Sequence, residues 1–148
     1  MGEAVSTVEV RSENIEPPSW EQNLRTFAAR VLEHLDQTTG ELSILLTDDP
    51  LMQELNNTYR GTDEPTDVLS FSSDDPRGDL LGDIVIDVPY VAAQAEEFAV
   101  SFDEELRRVT IHGILHLLGL THATRNFQTE PMLQKQEQLL QEIRENIL

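Results

Sequence analysis

His112-Gly113-Ile114-Leu115-His116-Leu117-Leu118-Gly119-Leu120-Thr121-His122 carries three of the chain's four histidines. An α-helix turns ~100° per residue, so residues four apart share a face. His112 and His116 can therefore aim their rings at one ion. On an unbroken helix His122 would point away from them. Gly119 changes that, because glycine readily takes the left-handed backbone that ends a helix. The stretch reads as a helix, a glycine stop and a turn that returns the third imidazole. Three neutral imidazoles with an open fourth position describe a catalytic zinc site better than a closed structural one. A histidine pair alone at this spacing is often surface decoration; the third histidine and the intervening glycine favour a metal site.

The pattern matches the zinc-peptidase signature H-E-x-x-H-x-x-G-x-x-H at every fixed position but one. Gly113 stands where that signature has its glutamate base. The ligand spacing survives and the peptidase base does not, which makes a protease the weaker reading. His34, alone in Glu33-His34-Leu35, reads as an ordinary helix residue.

Working outward, Asp103 opens the helix that carries His112 and His116, and Pro89 opens another that runs to about Val100. Alternation marks strands at Val5 to Val10, Glu41 to Thr47, Asp67 to Phe71 and Gly82 to Val88. Asp83 and Asp87 alternate with Ile84 and Ile86, which predicts one solvated sheet face. Ser72 to Asp79 reads as an exposed loop. Ser19 to Gln22 resembles a capping box ahead of a helix with the stripe Trp20, Leu24, Phe27, Val31 and Leu35. Asp49-Pro50 reads as the cap and first-turn proline of a helix to about Arg60. A last helix, about Gln128 to Asn146, carries Met132, Leu139, Leu140, Ile143 and Ile147. Residues 1–148 thus predict one α+β domain: a small mixed sheet packed by about five helices, with the metal site on a helix of the C-terminal half and the turn after it.

Composition narrows the function classes. There are no cysteines, which removes disulfides and thiolate zinc sites. No run of ~18 apolar residues is present. The first residues lack the basic-then-apolar pattern of a signal peptide, so a cytoplasmic location without membrane partners is expected. Ten basic against 28 acidic residues give a net charge of -18. Nucleic-acid binders usually carry a positive footprint, so the acidity predicts weak nonspecific affinity. Nine of the ten basic residues are arginine, the better phosphate fork.

Two more segments join the histidines. Leu55-Asn-Asn-Thr-Tyr-Arg60-Gly-Thr-Asp63-Glu-Pro65-Thr66-Asp67-Val68-Leu69-Ser70-Phe71 resembles L-N-x-x-Y-R-x-x-D-x-P-T-D-V-L-S-F of the bacterial YbeY proteins. Leu81-Gly-Asp-Ile-Val-Ile86 resembles their L-G-D-I-x-I strand, and His112 to His122 their H-G-x-L-H-L-x-G-x-D-H. The resemblance implies an α+β single-strand endoribonuclease that matures the 3′ end of 16S rRNA and serves ribosome quality control. Its implied partners are ribosomal RNA, the small ribosomal subunit, and ribosomal or assembly-factor proteins. It also implies one Zn²⁺ per chain on His112, His116 and His122, with Arg60 as the functionally important arginine. Thr121 stands where the family pattern has aspartate, and Leu120 where it often has tyrosine. Any role of that aspartate is then unfilled here or moved, to Asp63 or Asp67.

The chemistry is consistent with this. Zinc lowers the pKa of bound water to about 7, so a missing glutamate does not remove hydrolysis. Arg60 suits phosphate because its charge is permanent and its donors planar; pairing with Asp63 or with helix-end carbonyls is the structural alternative. Asp67 and Ser70 read as structural or ligand-supporting groups. A noncatalytic zinc-containing ribosome-assembly factor is the competing function, and hydrolysis of another substrate, such as a peptide, the third.

Overall fold

The computed structural model describes residues 7–37, 40–73, 80–119 and 129–148, with the side chains of the last helix described from Met132 onward. The elements run β1 (Thr7–Ser12), α1 (Glu21–His34), β2 (Glu41–Thr47), α2 (Asp49–Arg60), β3 (Val68–Ser72), β4 (Leu80–Asp87), α3 (Val88–Phe98), α4 (Phe102–Leu117) and α5 (Thr129–Glu142). The strands form one sheet in the order β1-β2-β4-β3. β1, β2 and β4 are parallel, and β3 pairs antiparallel with β4. The result is the expected α+β fold with a small mixed sheet and five helices.

Each strand sends alternate residues to opposite faces. On one face Val8, Val10, Leu42, Ile44, Leu46, Ile84 and Ile86 pack under α1 and α4 into the main core. α1 contributes Leu24, Phe27 and Val31, the stripe read from its spacing, and α4 contributes Leu106, Ile111 and Ile114. On the other face Met52 of α2 covers Leu69 and Val85, a smaller second cluster.

Several local expectations need correction. Ser19 does not cap α1; the helix starts at Glu21, with Trp20 at the cap position and no side-chain cap. Trp20 instead packs edge-on against Phe102, centroids 5.9 Å apart, and Glu21 accepts a 2.6 Å hydrogen bond from Ser12 Oγ. The aromatic contact and the tie to β1 set the helix start. Asp48, rather than Asp49, caps α2, accepting from Leu51 N. α5 ends at Glu142, yet Ile143 and Ile147 stay buried, because Asp103 Oδ1 accepts from Ile147 N at 2.7 Å and Leu148 N at 2.9 Å. Asp87 does not lie on a solvated face. It is fully buried and caps α3 through Tyr90 N. Asp83 is exposed as expected. Most of the predicted 72–79 loop lies outside the described residues.

Candidate active site

α4 is the element that places the histidines, and its seat on the sheet explains Gly113. A Cβ at Gly113 would lie 3.1 Å from Val68 Cγ2 and 3.2 Å from Ile84 Cγ2. A hydrogen fits at this height without displacing either methyl, whereas a Cβ would make Val68 and Ile84 give by a few tenths of an ångström. β3 then grips the helix with hydroxyls: Ser70 Oγ donates to Gly113 O at 2.9 Å and Ser72 Oγ to Leu117 O at 3.1 Å. Ser70 is therefore a structural anchor, as its position on β3 predicted. α4 stops at Leu117, and Gly119 has φ +80°, the left-handed stop read from the sequence.

With α4 set this way, His112 is half-buried and His116 exposed on one side, their ring centroids 6.1 Å apart. His112 Nδ1 lies 2.8 Å from Gln136 Oε1 of α5. The Gln136 amide nitrogen faces Glu137 Oε2 at 3.3 Å, which leaves its oxygen toward the imidazole. An amide oxygen only accepts, so Nδ1 carries the proton and Nε2 keeps its lone pair. Metal-binding histidines use this arrangement, donating the remote N–H to a fixed oxygen. Sequence reasoning missed Gln136. Its signal was a polar residue inside the α5 apolar stripe, four after Met132 and three before Leu139.

Gln136 is held in place by an ion cluster between α4 and α5. Arg108 forks onto both Glu137 oxygens, at 2.9 and 3.2 Å, and also reaches Glu104 and Glu105. The Arg108 hydrogen bonds hold the Glu137 carboxyl below its usual range. Arg107 is likewise paired, to Asp103 at 2.9 Å. Neither arginine is available as a substitute phosphate ligand.

Arg60 is different. It ends α2, and Gly61 turns the chain away at φ +72°. Asn56 Nδ2 donates to Glu64 O at 2.8 Å, and Gln53 Nε2 donates to Asp63 Oδ1 at 3.1 Å, pinning the turn that follows. Asp63 is thus engaged by Gln53. Among the described residues Arg60 is exposed, and its guanidinium has neither a hydrogen bond nor an ion pair. The structural alternative for this arginine does not hold.

One groove of about 520 Å³ brings Tyr59, Arg60, Asp67, Ser70, His112 and His116 together. Asp67 is held there by Gln94 Nε2 at 3.0 Å, and Gln94 also donates to the buried Glu105 of α4 at 2.7 Å. Two of the three expected zinc ligands thus share a cleft with the expected phosphate arginine. His122, Thr121 and Arg125 lie outside the described residues. The donor set fits the implied ion: two imidazoles from one helix face, one already fixed in the ligating tautomer.

A family model described as Endoribonuclease YbeY matches residues 7–144. The chain belongs to the YbeY family. Curated relatives named Endoribonuclease YbeY include one from Persephonella marina, 44% identical with 78% of each chain covered. Another, from Brevibacillus brevis, is 40% identical and covers 93% of this chain and 96% of its own. The solution structure of TM1509 from Thermotoga maritima is similar in fold, with a TM-score of 0.69 and 29% identity, covering 92% of this chain and 88% of that one. The YbeY-matched span contains Arg60, the three motif histidines and Gln136, so the whole groove falls inside it.

Proposed function

We propose that this YbeY-family protein is a metal-dependent endoribonuclease of single-stranded RNA. Its cellular task is ribosomal RNA processing at the 3′ end of 16S rRNA and ribosome quality control, in the cytoplasm and with the small ribosomal subunit as partner. The observation that carries the reading is the Arg60 guanidinium, unpaired among the described residues, in the same groove as His112 and His116. His112, His116 and His122 would hold one Zn²⁺. When bound, the ion supplies Lewis-acid chemistry, acidifying water and drawing charge from a phosphate oxygen.

The chain's own groups account for the rest. Hydrolysis adds water across a P–O ester bond, and attack gathers negative charge on the non-bridging oxygens. Arg60 answers that charge with a planar, permanently protonated fork. Having no partner to leave among the described residues, it forms those bonds without breaking others. Asp67, oriented by Gln94, is the groove's carboxylate among the described residues and is placed to take a proton from the attacking water. Gln136 keeps His112 in one tautomer throughout. The net charge of -18 opposes loose RNA binding, so recognition rests on this groove and on the particle that presents the RNA.

Metal-loaded and chelated protein would be incubated with small-subunit particles and with free rRNA, and the cut ends mapped. Cleavage should need metal and unpaired RNA. Arg60→Ala should keep fold and metal but lose most cleavage, and Arg60→Lys should recover little of it. A fully active alanine variant would move phosphate recognition elsewhere. Chelator-sensitive hydrolysis of casein, without RNA cleavage, would replace this reading with a peptidase.

A further inference from the structure

The sheet face opposite α4 is only partly covered by α2. Beside that helix lies a second groove of about 400 Å³, floored by Leu45 and Val85 and walled by Tyr59, Phe71, Ser43, Asp83 and Arg11, whose guanidinium pairs with Glu13 at 3.4 Å. Phe71, Asp83 and Ser43 are register partners across β3, β4 and β2, so they form one row at roughly 4.8 Å per strand. Tyr59 and Phe71 meet edge to face, with centroids 5.1 Å apart and planes at 65°. Both rings also line the groove of Arg60 and the histidines. Tyr59 adjoins Arg60 in sequence and is 64% exposed, an aromatic ring left open at the junction of two clefts.

We propose that this second groove is a nucleobase subsite: one unpaired base of the RNA stacks on Tyr59, with Phe71 against its rim, and turns its edge toward Asp83 and Ser43. The proposal rests on the ribonuclease reading and deepens it. Three features select a base as the occupant. The groove is continuous with the phosphate site through two shared aromatic rings. Its floor is apolar, which suits a flat ring. Its polar end carries a carboxylate, and Glu9 is the next residue of the same row. At that end a phosphate would meet Asp83, and the groove's one guanidinium, Arg11, is already paired to Glu13; Arg60 has no such partner among the described residues, so the strand lies with its backbone at Arg60 and its base at Asp83. A base paired within a duplex cannot enter, which gives a physical origin for single-strand preference.

The edge chemistry goes further. A carboxylate accepts from the amino groups of cytosine, adenine and guanine. Uracil instead presents one N–H between two carbonyl oxygens, both repelled by Asp83. The subsite therefore disfavours uracil.

The test uses the metal-loaded protein and single-stranded RNA oligonucleotides with 2-aminopurine placed at successive positions. Fluorescence reports stacking on binding, and cleavage is followed in parallel. Quenching should occur at one position fixed relative to the cut. Tyr59→Ala should abolish it and raise KM on the order of tenfold, within the usual worth of one stacked base, with kcat nearly unchanged. Tyr59→Phe should behave as the parent protein. Asp83→Asn should raise cleavage of substrates with uracil at that position relative to the other bases. Quenching that persists in Tyr59→Ala, or an unchanged KM, overturns the subsite and leaves the ribonuclease reading standing. RNA that is bound and quenched, with loss of quenching in Tyr59→Ala but no cleavage by the parent protein, would overturn the ribonuclease reading and keep the subsite. RNA that is neither bound nor cut would overturn both.

Discussion

Asp87→Asn removes a titratable group from the junction of β4 and α3 without changing the shape of the side chain. Asp87 is fully buried, and its Oδ1 accepts from Tyr90 N at 3.2 Å. Its Oδ2 has no donor facing it; only a protonated Asp87 can use that oxygen, by donating to the Asp49 carboxylate beside it. Burial first, then the proton shared with Asp49, push the Asp87 carboxyl from 3.8 up to about 8. Because this folded-state pKa is raised, the native protein keeps a proton that the unfolded chain gives up. Its stabilising effect is complete below about pH 4 and is lost as pH rises toward 8, at up to ~1.4 kcal/mol per pH unit. That window sets a ceiling of about 6 kcal/mol, and relaxation around a buried charge reduces it to about 2–4 kcal/mol. Asparagine keeps the helix cap and can donate to Asp49 at every pH. Urea unfolding of both proteins from pH 5 to 9 measures the effect. The asparagine variant should gain on the parent steadily with pH, by at least about 2 kcal/mol at pH 9. Parallel stability curves would refute the reasoning, since they would mean that Asp87 titrates alike in the folded and unfolded chains.

Other predictions concern the groove. Purified protein should carry about one transition metal per chain, and elemental analysis of His116→Ala should show most of it gone; undiminished metal there would remove the histidine site. Gln136→Leu frees the His112 tautomer, so a chelator competition should find metal held roughly 10–100-fold more weakly, with thermal stability little changed. Gly113→Ala sets a packing cost of about 1–3 kcal/mol, because its new Cβ meets Val68 and Ile84, against about 1 kcal/mol of gained helix propensity, for a net loss of about 0–2 kcal/mol. Gly113→Glu should cost more than alanine in the same thermal scan, and equal melting temperatures for the two would contradict the packing described.

Much of this molecule was legible in its sequence because periodicity reports burial. β2 was read to the residue, since Leu42, Ile44 and Leu46 alternate under the main core. The histidine pair and the glycine stop followed from helix geometry alone. What escaped was set by tertiary partners. Ser19 offered a cap that the Trp20–Phe102 contact overrode. Asp87 looked solvated by alternation, although an aspartate two residues before Pro89 is itself a helix-start signal. Gln136 lies 24 residues beyond His112 on another helix, and no local pattern ties the two. Gly113 marked an absent base in the sequence; packing shows that the position is pressed onto Val68 of β3 and Ile84 of β4.

That orientation limits what single substitutions can reach. A side chain introduced at position 113 would start from a Cβ pressed against Val68 and Ile84. Restoring the letters of the peptidase signature would therefore first disturb the seat of the helix that carries His112 and His116. Any shift of α4 away from β3 would also strain the Ser70 and Ser72 anchors. Two proteins can thus share a string of ligands and glycines and still be separated by a barrier that no alignment of their motifs displays.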